Sequence, residues 1–173
     1  MIESYFLNEG FKRSCYEYTL FIKEEKEKIL IVSLYVDDLI FTGNDMIMMQ
    51  GFKNSMKREF EMTDLGEMKY FLGVEVRQNA RGIHISQKKY AGEVLERFGM
   101  GNCNGVKNPI VLGSIKLSRE EEGKQVDGTL FKQMVGSLMY MTTTRPDLMY
   151  CVCLISRYMS NPKEVHMLVA KRI

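Results

Sequence analysis

Three features of this 173-residue chain predict an α+β fold. Short runs with strand character alternate with helix-period patterns up to about residue 100. Beyond Gly101-Asn102-Cys103-Asn104-Gly105 the signals are loop and helix. Hydrophobic residues make up 45% of the chain against 27% charged, enough apolar surface to offset chain entropy, so disorder is excluded as the main state. The length fits one domain, or one domain and part of another.

The elements follow in order. Residues 1–10 read as a helix remnant. Tyr18 to Lys23 and Lys28 to Leu34 read as strands around the charged turn Glu24-Glu25-Lys26-Glu27. Leu39 to Thr42 is a further apolar strand, and Tyr35-Val36-Asp37-Asp38 before it reads as a hairpin tip, because paired aspartates are poor strand formers. Asp45 is placed to cap a helix over 46–60, where Met49, Phe52, Met56 and Phe60 form one apolar face. Tyr70 to Arg77 and Gly82 to Ser86 read as a strand pair. Ser86 is expected to cap a helix with the stripe Tyr90, Ala91, Val94, Leu95 and Phe98, ending at Gly99. Helices are predicted at about 127–142, 146–160 and 162–172, with Pro146 and Pro162 in first turns and Asn161 with Glu164 as a capping box. The chain stops at Ala170-Lys171-Arg172-Ile173 without a stop signal, which reads as truncation.

Several classes fall away. Lys+Arg is 24 against Asp+Glu at 22, so a nucleic-acid partner is neither required nor excluded, and any phosphate-binding charge must be local. No run approaches the roughly 18 apolar residues of a membrane helix, so no membrane partner is expected. The first residues lack the layout of a secretory signal. Cys15, Cys103, Cys151 and Cys153 form no CxxC pair, and there are two histidines, which is poor zinc spacing. Reduced thiols in an intracellular chain that is not secreted are the expectation, with Cys151 and Cys153 on different helix faces.

The sharpest chemical signal is Asp37-Asp38 inside the apolar run from Ile29 to Phe41. Two buried carboxylates are costly unless compensated, and a divalent cation compensates both. Mg²⁺ takes a few carboxylates plus water and substrate phosphates. Spacing alone favours the plainer reading, an Asp-Asp turn that joins two strands and faces water.

Tyr35-Val36-Asp37-Asp38 with its flanks resembles the YxDD motif of reverse transcriptases. The run Phe60-Glu61-Met62-Thr63-Asp64-Leu65-Gly66-Glu67-Met68-Lys69-Tyr70-Phe71-Leu72-Gly73-Val74-Glu75-Val76 is similar to a stretch of the copia-type LTR retrotransposon enzymes, plant ones above all. So are Ile85 to Tyr90, Leu95 to Met100, Val135 to Tyr140 and Thr144 to Asp147, all in family order. There are departures. The chain has no Trp, and Met167 stands where the family usually has one after the histidine matched by His166.

The resemblance implies a partial polymerase palm, an antiparallel sheet with helices on one face, then a mainly helical thumb and connection-like region. The implied divisions are 1–77 (palm with the YVDD hairpin), 78–105 (thumb-like hairpin and helix) and 106–173. Asp37 and Asp38 would be catalytic and metal-binding, with Mg²⁺, or Mn²⁺ in its place, in the complete enzyme. Tyr35 and Val36 would lie against the primer end and nucleotide, and Phe71, Leu72 and Gly73 would form a primer-grip-like hairpin. Arg81, Lys88 and Lys89, within a basic excess that includes Arg77 and Arg97, would meet the nucleic-acid backbone. The implied partners are an RNA or DNA template with primer and a dNTP, with a cytoplasmic particle or the nucleus as the place of action. The family's first catalytic aspartate and its fingers precede the region of Met1, and RNase H and integrase follow. Two readings are therefore carried forward: a polymerase fragment inactive by itself, and a non-catalytic retroelement remnant, inert or binding nucleic acid. Loss of the earlier palm strand is expected to leave an edge strand open.

Overall fold

The computed structural model describes residues 2–110, 117 and 123–173. It is α+β and folds as two compact units, Met1–Met68 and Lys69–Ile173.

The first unit is an antiparallel sheet in the order β1 (Lys12–Arg13), β2 (Leu20–Glu25), β3 (Lys28–Tyr35) and β4 (Asp38–Gly43). Two helices, α1 (Ile2–Asn8) and α2 (Met46–Phe60), bring their apolar faces to it. The alternation in β3 sets the layers, with Leu30 and Val32 buried and Leu34 beside them on the core face. Phe6 of α1 has no exposed surface and lies 5.0 Å from the Phe21 ring and 6.0 Å from that of Phe52. Burying one such ring is worth about 1.5–3 kcal/mol. The predicted stripe of α2 is the one that packs: Phe52 and Met56 are buried, and Met49 and Phe60 pack against the same cluster. Asp45 is the cap, its carboxylate accepting the Met48 N–H at 2.8 Å. Among the described residues β4 has β3 on one side and no strand on the other, so it is an edge.

The second unit opens with a three-stranded antiparallel sheet, β5 (Tyr70–Phe71), β6 (Val74–Asn79) and β7 (Gly82–Ser86), followed by α3 (Lys88–Arg97). Its helical part comprises α4 (Gly128–Met141), a 3₁₀ turn (Pro146–Leu148), α5 (Met149–Ser156) and α6 (Glu164–Ala170). Phe131, Met134, Val135, Ile155, Tyr158, Met167, Val169 and Ala170 form its core. Helix α3 ends as predicted at Gly99, in φ +66. The Gly99 N–H donates to the Glu96 carbonyl and the Met100 N–H to that of Leu95, which is a Schellman ending. Cys151 is buried and Cys153 exposed, so neighbouring thiols do face different ways, and burial raises the Cys151 pKa.

Five local expectations are corrected. Tyr70 to Arg77 is two strands, not one, because the chain reverses at Leu72-Gly73, both with positive φ. Ser86 does not cap α3: its hydroxyl donates to Glu75 at 3.1 Å, and the same carboxylate accepts the Lys88 N–H at 2.9 Å. A carboxylate from the adjacent strand thus meets the positive end of the helix dipole. The helix expected over 146–160 starts as the 3₁₀ turn and stops at Ser156. Pro162 precedes the cap of α6 rather than lying in its first turn. The Asn161–Glu164 box is absent: Asn161 accepts from Gln125 at 3.2 Å, and His166 Nδ1 accepts the Lys163 N–H at 3.0 Å. The imidazole is buried and stacked on Tyr158 at 4.0 Å, so it reaches the helix start where a shorter side chain does not. Part of the region expected as 106–173 lies outside the described residues.

Candidate active site

Tyr35 pairs with Asp38 across the β3–β4 hairpin, so Val36 and Asp37 make a two-residue turn. Val36 takes φ 53, a left-handed conformation that a β-branched side chain resists. Such strain costs on the order of 1–3 kcal/mol and clusters at functional sites. The turn keeps both acids at the tip. Tyr35, Val36, Asp37 and Asp38 are all exposed, with Val36 at 87%. Leu39 and Phe41 pack towards the core, so Asp38 starts β4 on the opposite face, which it shares with Tyr35. The carboxylates are therefore not the buried pair that the apolar flanks suggest, because the turn lifts them clear of the sheet.

Among the described residues no side chain hydrogen-bonds or ion-pairs with Asp37 or Asp38, and no group of three metal-ligating side chains assembles. The other acids of this unit near α2 are engaged. Asp45 binds Lys28 at 2.9 Å, and that contact, with the Met48 amide, holds its pKa below the usual carboxylate value. Asp64 accepts from the Gly66 amide at 2.9 Å and pairs with Lys53 at 3.1 Å, which lowers its pKa too. Neither is a free third ligand. The donor chemistry of the tip still fits a hard divalent cation, which takes carboxylate oxygens and completes its shell with water and phosphate.

In the second unit Leu72 and Gly73 form the β5–β6 turn, at φ 48 and 80, as a type I′ turn requires. Gly73 lies under an aromatic ring: a Cβ there would sit 3.4 Å from Tyr140 Cε1. Arg81 occupies the β6–β7 turn, where Asn79 accepts its N–H at 2.8 Å. Lys88 and Lys89 open α3, and Lys89 Nζ lies 5.5 Å from the centre of the Tyr70 ring. All three are exposed, and among the described residues none of Arg77, Arg81, Lys88, Lys89 and Arg97 forms an ion pair with a carboxylate.

Sequence reasoning missed three residues. Glu75, Gln87 and Tyr140 organise this region through side-chain hydrogen bonds. The one available signal was a polar residue beside an apolar stripe, which is too common to be read alone.

An antiparallel sheet covered by helices on one face, with paired carboxylates on an exposed hairpin, defines an α+β chain that offers oxygen ligands to a cation from solvent. Residues 1–112 match the family described as reverse transcriptase (RNA-dependent DNA polymerase), and the chain belongs to that family. It is 35% identical over 172 residues to the retrovirus-related Pol polyprotein from transposon RE1 of Arabidopsis thaliana, covering 99% of this chain and 12% of that protein. It is 35% identical to the corresponding polyprotein from transposon TNT 1-94 of Nicotiana tabacum, over 84% of this chain and 12% of that protein. The putative transposon Ty5-1 protein of Saccharomyces cerevisiae is 26% identical over 95% of this chain and 54% of its own length. The chain thus spans about an eighth of the two plant polyproteins. No solved structure matches it. Among the described residues no helix is long and apolar enough to cross a membrane.

Proposed function

We propose that this chain is the later palm and thumb-like portion of a retrotransposon RNA-directed DNA polymerase, acting by two-metal nucleotidyl transfer once a preceding segment supplies the fingers and a third carboxylate. The observation that carries it is the exposed Asp37-Asp38 pair, without a side-chain partner among the described residues, on a strained turn within the residues that match the family. Asp37 and Asp38 would hold divalent cations, Mg²⁺ first. Bound there, the cations supply positive charge that lowers the pKa of a primer 3′-hydroxyl and stabilises the departing phosphate oxygen.

The chain's own residues have the positioning tasks. Tyr35, on the face of Asp38, lies against the primer end, and Val36 against the incoming nucleotide. The Phe71-Leu72-Gly73 turn holds the primer strand, and Arg81, Lys88 and Lys89 bind its phosphates. Among the described residues no third carboxylate joins Asp37 and Asp38, and misplacement of about 1 Å at a reacting centre costs about 10²-fold. The isolated 173 residues are therefore expected to give no primer extension on an RNA template with Mg²⁺ or Mn²⁺. Joined to the preceding polyprotein segment they should extend, and Asp37→Asn should lower the rate by about 10²–10³-fold. Robust extension by the isolated chain would overturn the claim of incompleteness.

The second reading, a non-catalytic chain that binds nucleic acid, is favoured by the five basic residues that form no ion pair with a carboxylate among the described residues. It predicts salt-sensitive binding to primer–template. Replacing Lys88 and Lys89 by Ala should make the log–log salt slope shallower by about 1.4–1.8.

A further inference from the structure

Helix α4 lies beyond residues 1–112, though within the stretch similar to the RE1 polyprotein, and it reaches the turn assigned above to the primer. The Tyr140 hydroxyl donates to the Leu72 carbonyl. The Tyr140 ring covers Gly73 and meets the Tyr90 ring edge-on at 5.1 Å. Behind it, Gln87 is 4% exposed and clamps the end of α4 at two points: its amide nitrogen donates to the Tyr140 carbonyl at 3.3 Å, and its amide oxygen accepts from Thr144 Oγ1 at 2.8 Å. The Tyr90 hydroxyl donates to the Ser137 carbonyl at 3.4 Å.

Leu72 needs such support. A non-glycine residue at φ 48 persists where its surroundings over-determine it. Only one side chain in this network touches both residues of the turn, and it is Tyr140. Gln87 in turn ties that tyrosine to the start of α3, whose Lys88 and Lys89 are exposed.

We infer that Tyr140 is a positioning residue: it latches the Leu72-Gly73 turn in the shape that meets a primer 3′ end and fixes that turn relative to the basic start of α3. The inference rests on the proposed function for what the turn binds, but not for the latch itself.

The test uses the full chain and Tyr140→Phe, which keeps the ring over Gly73 and removes the hydroxyl. Amide exchange in residues 70–75 should rise about fivefold, the worth of one hydrogen bond, while α4 and α6 stay protected. Affinity is then measured for two probes, a duplex with a recessed 3′ end and a blunt duplex. The variant should lose about fivefold on the recessed end and little on the blunt one, a selectivity that mere loosening of the fold would not produce. Tyr90→Phe, whose hydroxyl does not touch the turn, should leave both readouts unchanged. Unchanged exchange at 70–75 in Tyr140→Phe, or equal losses on both duplexes, overturns the inference. A local rise in exchange in a chain whose wild type binds neither duplex would refute the polymerase reading and leave the latch standing.

Discussion

At Val36-Asp37 and at Leu72-Gly73 the chain reverses in two residues, each time with a bulky residue at positive φ. The two turns are finished differently. The first is open: its acids meet no side-chain partner among the described residues, and its support is the apolar core under β3 and β4. The second is braced from outside by Tyr140, Tyr90 and Gln87. Under the proposed function the contrast separates two tasks. A turn that must offer carboxylate oxygens to a cation cannot also spend them on the protein. A turn that must hold a strand in place gains from every contact that stiffens it.

If the open turn depends on the core beneath it, the largest effect comes from that core. Phe6→Ala removes a ring that meets Phe11, Phe21 and Phe52 and should cost about 3–5 kcal/mol, read as a drop in denaturant midpoint, with exchange rising first within residues 2–60. A loss below about 1 kcal/mol would break this side of the comparison. The second unit leans on buried polar contacts. His166→Ala loses the Tyr158 stack and the cap of α6 and should cost about 2 kcal/mol by thermal melt.

The turns themselves give a smaller, opposite effect. Val36→Gly relieves a β-branched residue at φ 53 and should raise stability by about 1 kcal/mol or less, because glycine's chain entropy offsets part of the gain. Leu72→Gly should gain less, since leucine is not β-branched. The reverse order would contradict the assignment of greater strain to the open turn. Smallest is the response of Asp45. Its folded pKa is depressed, so its contribution is present above the unfolded pKa of about 4 and is lost as pH falls through the folded value. Asp45→Asn retains a good cap but neither the charge nor the titration. Wild type should therefore melt higher than the variant at pH 7, with the difference gone in strong acid.

Much of this was legible in the chain, and the reasons are physical. The period of α2 and its Asp45 cap, the hairpin tip at the paired aspartates and the Gly99 ending each depend on residues close in sequence, and each stands where predicted. The Asp-Asp pair was legible as chemistry but not as burial. Apolar flanks pointed inward, and only the turn's backbone decided that the acids face out. The β5–β6 break was hidden because Leu-Gly lacks the Asn or Asp that usually announces a type I′ turn. The caps supplied by Glu75 and His166 and the Tyr140 latch involve partners 3 to 68 residues apart whose meeting depends on packing. Ser86 and Asn161 look like caps locally and lose to neighbours that the fold brings nearer.

We propose that Asp37 and Asp38, which have no side-chain partner among the described residues, take a divalent cation. Titrating Mn²⁺ into the isotopically labelled chain and following paramagnetic broadening of backbone amides tests this without requiring activity. The amides of residues 36–39 should broaden first, while those near Asp45 and Asp64, whose carboxylates are held by Lys28 and Lys53, respond later. Asp37→Asn combined with Asp38→Asn should remove the early response. Broadening that begins at Asp45 or Asp64, or that spares 36–39, would contradict the account.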